Sequence, residues 1–344
     1  MKILIVKTSS LGDLIHTFAS LEYLRQKHPE AQIDWVVEAP FAEILKAHPC
    51  INQVIEIDSR NWRKGKNLKA FFQFLTRLRE VRYDILFDFQ GNTKSAIVTF
   101  FSRADKKIGF GKSNVAEWPN LLVTDIKVDP NPQLNVRQEN MFLVQSYFQD
   151  FIPFQQKNSP LRASITEKSL IDHILKNPII GNRRKVMVCP ASAWKNKQMT
   201  KSSLINFLTQ VDRHVSSCFL LIWGNEEERL HCKRLQDAFP DKAFLIDRLS
   251  LPALQNLMNQ MDLVIAMDSL PLHLAATTSA RVFGLFGPSS ALKYMPEGSR
   301  YDFFQGICPY GKHFSKRCPI LRTCVSGACL RGTVEDDVFK AYIK

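Results

Sequence analysis

Seven residues near the N-terminus, Lys7-Thr8-Ser9-Ser10-Leu11-Gly12-Asp13, join a short apolar run to the start of a helix. The backbone N–H groups of such a strand–loop–helix turn, with the positive end of the helix, suit an anionic group. The turn has neither the GxGxxG of a dinucleotide fold nor the GKS/T of a P-loop. Asp13 suits an acidic first helical turn; at the carboxyl end of a strand it equally suits a general base. A second constellation, Asp268-Ser269-Leu270-Pro271-Leu272-His273, follows the apolar strand Leu263–Met267 and opens a helix, where N–H groups, Ser269 and His273 suit a diphosphate. Glu226 opens a helix after another strand. There Glu226-Glu227-Glu228 makes an ordinary acidic first turn.

Basic residues gather at Arg60, Arg63, Lys64, Lys66 and Lys69 with no acid among them. Phe71, Phe72, Phe74, Leu75 and Leu78 follow, interleaved with Arg77, Arg79 and Arg82. The stretch reads as a solvated loop before a core helix, or as a face that captures carboxylates, phosphates or an anionic membrane. Gln90, Gly91 and Lys94 come after a further strand and are candidates to line the same side. Lys195, Lys197 and Lys201 read, on residue type alone, as surface lysines. Cys308, Cys318, Cys324 and Cys329 have gaps of nine, five and four residues. They lack the paired C-x₂-C spacing of zinc ribbons, so free thiols or, with His313, a structural metal remain open.

The elements that must position these groups are legible in the pattern. The chain has 344 residues, a prior of roughly two domains. Hydrophobic residues make up 45% and charged residues 23%, which suits a globular protein and excludes long disordered or fibrous stretches. No apolar run is long enough to span a bilayer, and MKILIVKTSS lacks the features of a secretory signal, so the chain is expected in the cytoplasm. Forty-six basic residues against 33 acidic ones leave a net charge of +13, which favours an anionic partner.

Strands are predicted at Lys2–Lys7, Ile33–Glu38, Val54–Ile57 and Asp84–Phe89, with helices at Leu14–Lys27, Phe41–His48, Leu68–Val81 and Thr93–Ser102. The second half repeats the alternation. Its strands fall near Val186–Cys189, Cys218–Trp223, Ala243–Ile246, Leu263–Met267 and Arg281–Phe286. Helices separate them near Ser203–His214, Glu226–Phe239, Pro252–Met261 and Leu272–Thr278. This is an α/β chain with two doubly wound, Rossmann-like domains and a ligand cleft expected between them. The less periodic stretch Phe151–Asn182, with Pro153, Pro160 and Pro178, marks the junction.

At this point KTSSLGDLIHTFASLEYLRQKHP, followed by IDWVVEAPFAEI, resembles the start of the lipopolysaccharide heptosyltransferases, glycosyltransferase family 9. The likeness is greatest to the heptosyltransferase I branch, which adds the first heptose to inner-core Kdo. It continues through RNWRKGK, YDILFDFQGNTKSA, ASAWKNKQMT, LIWGNEEE and DSLPLH, and so covers nearly the whole chain. The resemblance implies a GT-B fold: an acceptor-binding domain over 1–165 and an ADP-sugar-binding domain over 166–344, the last helix packing back on the first.

The same resemblance implies roles. Asp13 matches the base on the acceptor hydroxyl, and Lys197 a lysine near the donor phosphates. Ser192, Glu226, Asp268, Ser269 and His273 fall on the donor side, Glu226 at the ribose hydroxyls. Ser10, Gly12, Arg60, Arg63, Lys64, Gln90 and Lys94 fall on the acceptor side. Four residues depart from the family pattern: Asn61, Gln198, Met199 and Leu270, the last standing where a glycine is usual. Late cysteines occur in relatives without a required metal. The expected activity is inverting transfer of heptose from ADP-L-glycero-D-manno-heptose to Kdo-lipid A, with no cofactor and no metal. The expected protein is a monomer, peripheral on the cytoplasmic face of the inner membrane. Competing readings are a family transferase with another donor or acceptor, such as a heptosyltransferase II-like enzyme, or a non-catalytic sugar-nucleotide binder. The charge would also suit nucleic acid, but no recognition motif for one is present.

Overall fold

The computed structural model describes residues 1–63, 68–154 and 159–344. It forms two compact units, Met1–Ser159 and Pro160–Lys344. The first is built on six strands: β1 (Lys2–Val6), β2 (Gln32–Glu38), β3 (Gln53–Ile57), β4 (Arg82–Asp88), β5 (Arg103–Phe110) and β6 (Ile126–Val128). The second has β7 (Arg184–Cys189), β8 (Ser217–Leu221), β9 (Ala243–Leu245), β10 (Leu263–Met267), β11 (Arg281–Phe286) and β12 (Tyr301–Gln305).

Every pairing between these strands is parallel, in the orders β3-β2-β1-β4-β5-β6 and β12-β11-β10-β7-β8-β9. Numbered within its own unit, each sheet has the order 3-2-1-4-5-6 of a Rossmann domain, and the strand order reverses between the first and fourth strands. The central strands are apolar on both faces because helices cover both. Ile3, Leu4, Ile5 and Val6 are fully buried, as are Val264 and Ala266. Each of the buried Ile, Leu and Val side chains contributes roughly 1.5–3 kcal/mol relative to exposure.

Three strands are absent from the sequence pattern. β5, RADKKIGF, carries four charges and buries only its last three residues, so its first half has no apolar signal. β6 is three residues long. β12 is an edge strand with no fully buried residue. The predicted helix Leu14–Lys27 is two helices, Leu11–His16 and Phe18–Lys27, separated at Thr17. The junction stretch contains the helix Ile165–Leu175, opened by a capping box in which Ser164 and Glu167 bond reciprocally.

The units divide at 159/160 rather than 165/166, because Leu161 is already anchored in the second unit. Its N–H donates to Gln255 Oε1 at 3.0 Å, and its carbonyl accepts from Asn256 Nδ2 at 2.8 Å. The final helix, Glu335–Tyr342, packs on its own unit, against the helix Lys201–His214 and β12. Val338 is buried in that core, and Tyr342 receives a hydrogen bond from Arg184 at 2.8 Å. Among the described residues no helix is long and apolar enough to cross a membrane.

Candidate active site

In an open α/β sheet, ligands gather beyond the carboxyl ends of the strands where the order reverses. In the first unit that place lies between β1 and β4. Asp13 follows β1, and Gln90 follows β4. The Asp13 carboxylate is half-buried and accepts from the N–H (3.0 Å) and hydroxyl (2.8 Å) of Ser10, the N-cap of the helix Leu11–His16. The strand-to-helix turn is in turn tied to β4. Gln90 Oε1 accepts from the N–H groups of Thr8 (3.0 Å) and Ser9 (3.1 Å). Gln90 and Gly91 are themselves held by their N–H groups on the buried Asp88 Oδ1, both at 2.9 Å. Gly91 sits at φ +65°, a left-handed turn that favours glycine.

Lys7, given no role by the sequence, directly follows β1 and donates from its ammonium to the Phe89 carbonyl at 2.8 Å. Burial pushes its pKa below the ordinary lysine value, and the nearby Asp13 and Asp88 carboxylates oppose the shift. Glu38, at the end of β2, is a second unpredicted group. Its carboxylate pairs with Lys94 Nζ at 2.6 Å and accepts from both the N–H and hydroxyl of Ser59. Ser59 opens the helix Ser59–Arg63, so one carboxylate joins Lys94 to the backbone that carries Arg60 and Arg63. The side chains of Arg60 and Arg63, and all of Lys64, lie outside the described residues.

The second reversal lies between β7 and β10. Ser192 and Lys197 follow β7, and Asp268 follows β10. The Lys197 and Asp268 side chains meet, and the Ser192 hydroxyl donates to the Asp268 main-chain carbonyl at 3.5 Å. Lys197 Nζ is 2.6 Å from Asp268 Oδ2, which also accepts from the hydroxyl of the fully buried Ser289. His273 Nε2 lies 3.5 Å from Oδ1 of the same carboxylate. Ser269 donates to the Ala191 carbonyl at 3.2 Å, closing the turn across the two strands. Burial alone would raise the Asp268 pKa. The His273 hydrogen bond and the Lys197 and His273 charges outweigh it and hold the carboxyl well below its usual range.

Lys197 is therefore not the surface lysine that its residue type suggests. It lies in a 3-10 turn, Lys195–Lys197, positioned by the cysteine-bearing C-terminal segment. Asn196 Nδ2 donates to the carbonyls of Leu321 (2.6 Å) and Cys324 (3.0 Å). All eight cysteines are free thiols, and burial pushes Cys329 up to about 11. Among the described residues no group of three or more His, Cys, Asp or Glu side chains has an arrangement that could hold a metal.

Glu226 is exposed after β8, with Arg229 3.4 Å away. It stands apart from the hydrogen-bonded Lys197–Asp268–Ser289 group. Gly12 lies in the first turn of its helix, part-exposed beside Asp13. Ser289 carried no signal beyond a Gly-Pro-Ser-Ser turn, and Glu38 none beyond its place at a strand end.

The model of glycosyltransferase family 9 (heptosyltransferase) matches residues 71–323. Lipopolysaccharide heptosyltransferase 1 of Pseudomonas aeruginosa is 31% identical over 299 residues, covering 84% of this chain and 79% of that protein. Its counterpart in Campylobacter coli is 26% identical, covering 85% and 86%. Among solved structures, the E. coli heptosyltransferase WaaC with ADP-2-deoxy-2-fluoro heptose aligns with a TM-score of 0.72 at 24% identity, covering 89% of this chain and 94% of that one. A family 9 glycosyl transferase from Veillonella parvula aligns with a TM-score of 0.79 at 14% identity, covering 99% and 96%.

Proposed function

The chain belongs to glycosyltransferase family 9, the heptosyltransferases, and from that premise we propose that it transfers heptose from ADP-L-glycero-D-manno-heptose to the Kdo of Kdo-lipid A. Its two Rossmann-order units are those of the GT-B architecture. Family membership makes it a glycosyltransferase of lipopolysaccharide core assembly; the particular donor sugar and acceptor are our reading. A WaaC structure that contains an ADP-heptose analogue supports a nucleotide-sugar donor here.

The observation that carries the reading is that each sheet has chemistry-bearing side chains at its own reversal point: Asp13 in one, the Lys197–Asp268 pair in the other. The acceptor hydroxyl attacks the anomeric carbon of the heptose as Asp13 takes its proton. The bond from that carbon to the ADP oxygen breaks in the same displacement, so the anomeric centre inverts. Ser10 holds the base in place through two hydrogen bonds. A positioned carboxylate of this kind is worth typically 10²–10⁴-fold.

ADP leaves with growing negative charge. Lys197 supplies fixed positive charge for it, held by Asp268, which Ser289 fixes in turn, so that little rearrangement is needed at the moment of bond breaking. No metal or cofactor is part of this proposal. The acceptor is anionic, and the Arg60–Lys64 segment with Lys94 captures it. The enzyme works as a monomer on the cytoplasmic face of the inner membrane.

Mass spectrometry of Kdo-lipid A incubated with the protein and a panel of nucleotide sugars tests this reading. A product heavier by one heptose, formed only with the ADP-heptose, is expected. Preference for another sugar would favour the second reading, a family transferase of different specificity. Leu270 motivates that reading, since it replaces the usual family glycine at the start of the helix Leu270–Ala275.

A further inference from the structure

We propose that the outer helix layer of the first unit is a docking surface for an anionic lipid bilayer. This rests on the lipid-acceptor reading above and names the face that meets the lipid. The helices Leu68–Glu80 and Thr93–Phe101 and the 3-10 segment Trp118–Leu122 lie side by side, the middle helix packing against both neighbours. Their inner sides supply Phe74, Leu78 and Val98 to the core beneath, with Leu4, Val6 and Leu86 of the sheet. Their outer sides carry Phe72, Ile97, Phe100, Trp118 and Leu122, each between 45% and 75% exposed. Scattered exposed apolar residues are ordinary, but five large ones on three adjoining elements form a patch that water does not favour.

Charge selects the occupant. Residues 60–123 hold thirteen Lys and Arg against five Asp and Glu, a net +8 of the chain's +13. Lys69, Arg77, Arg79, Arg103, Lys106 and Lys112 are exposed. Aromatic and aliphatic side chains bordered by cations suit the boundary between anionic headgroups and acyl chains, where Trp and Phe bury their rings and Lys and Arg meet phosphate. A second copy of the chain would bring two such positive surfaces together, which like-charge repulsion opposes.

Placement agrees with the chemistry. Thr93, at the start of the middle helix, donates its N–H to Glu117 at 2.9 Å, and Trp118 is the next residue. The patch thus reaches the carboxyl end of the sheet, where Lys94 and Glu38 lie. A bilayer on this face would present headgroup-level anions to that end.

Vesicle flotation of the full chain tests the proposal, using phosphatidylcholine alone and with phosphatidylglycerol. The variant is Phe72→Ser/Phe100→Ser/Trp118→Ser, whose substitutions are all at exposed positions. The wild-type protein should float with the anionic vesicles, and the triple variant's partition should fall at least tenfold with an unchanged Tm. Arg77→Gln/Arg79→Gln should weaken binding and flatten its salt dependence. Turnover on a water-soluble, delipidated acceptor should be the same in wild type and triple variant. Equal flotation of the two proteins would overturn the proposal. So would self-association, abolished by the triple variant, in a protein that does not bind vesicles. Vesicle binding that needs the three residues, in a protein that transfers no heptose to any acceptor, would sustain the docking face and overturn the substrate reading instead.

Discussion

Lys197 and Asp268 are 71 residues apart in sequence, yet their ammonium and carboxylate meet at 2.6 Å, both buried, because β7 and β10 are neighbours. Breaking one side of a buried pair leaves an uncompensated charge, at a cost of roughly 3–5 kcal/mol. Lys197→Met and Asp268→Asn should each lower stability by that order. The double variant should lose less than the two losses combined, and a double-mutant cycle in denaturant measures the coupling. Simple additivity would mean that the pair contributes nothing as a pair.

The depressed Asp268 pKa sets the sign of an acid effect. The folded carboxyl stays ionised below the ordinary carboxylate value of about 3.9, whereas the unfolded one takes up a proton there. Its stabilisation is therefore complete above about pH 5 and drains away as pH falls towards the folded value. Unfolding titrations from pH 6 to 3 should show the stability gap between wild type and Asp268→Asn narrowing below about pH 4. A gap that stays constant would mean that Asp268 is not held ionised.

Asp13→Asn should cut turnover roughly 10²-fold or more while leaving the donor dissociation constant nearly intact. Asn keeps the shape and can still accept from Ser10, but it cannot take the acceptor proton. Near-normal turnover would remove Asp13 from the mechanism. For Lys197→Ala the expectation differs: turnover should fall more than acceptor affinity does, because the cation serves charge that grows in the transition state.

Gln90 acts through the backbone that carries Asp13. Gln90→Ala removes the acceptor for the Thr8 and Ser9 N–H groups, at a cost of about 1–3 kcal/mol if they stay unsatisfied, and turnover should drop with it. Gln90→Glu retains an acceptor oxygen and should restore most of the turnover. If Ala and Glu variants behave alike in steady-state kinetics, the clamp is irrelevant to the base.

Neutralising Arg60, Arg63 and Lys64 together should raise the apparent KM for a full lipid A acceptor and flatten its salt dependence. Exposed cation–anion contacts are screened over roughly 8–10 Å at physiological ionic strength. Turnover at saturating acceptor and ADP-heptose binding should change little. Acceptor titrations at several salt concentrations, with parent and triple variant compared, would show equal KM and slope if the segment is only a solvated surface.

By itself the sequence determined the β/α alternation, because an apolar run of four to six residues followed by a 3.6-period helix is a local pattern. From that pattern Asp13 and Asp268 could be placed just beyond strand ends. It also carried the family, through an N-terminal block whose residues are contiguous. Strand order was not legible. Putting β1 beside β4 and β7 beside β10 depends on crossovers that no window of neighbouring residues encodes, and those adjacencies join Gln90 to Ser9 and Lys197 to Asp268. Lys197 looked like a surface lysine because residue type reports the usual cost of burying an ammonium. Only the fold brings it a carboxylate, and with Asn196 held by the Leu321 and Cys324 carbonyls, its turn is fixed by chain more than a hundred residues away. For the same reason β5, with its four charges, was silent in sequence: its polar first half is a strand because β4 pairs with it, not because its own side chains demand burial.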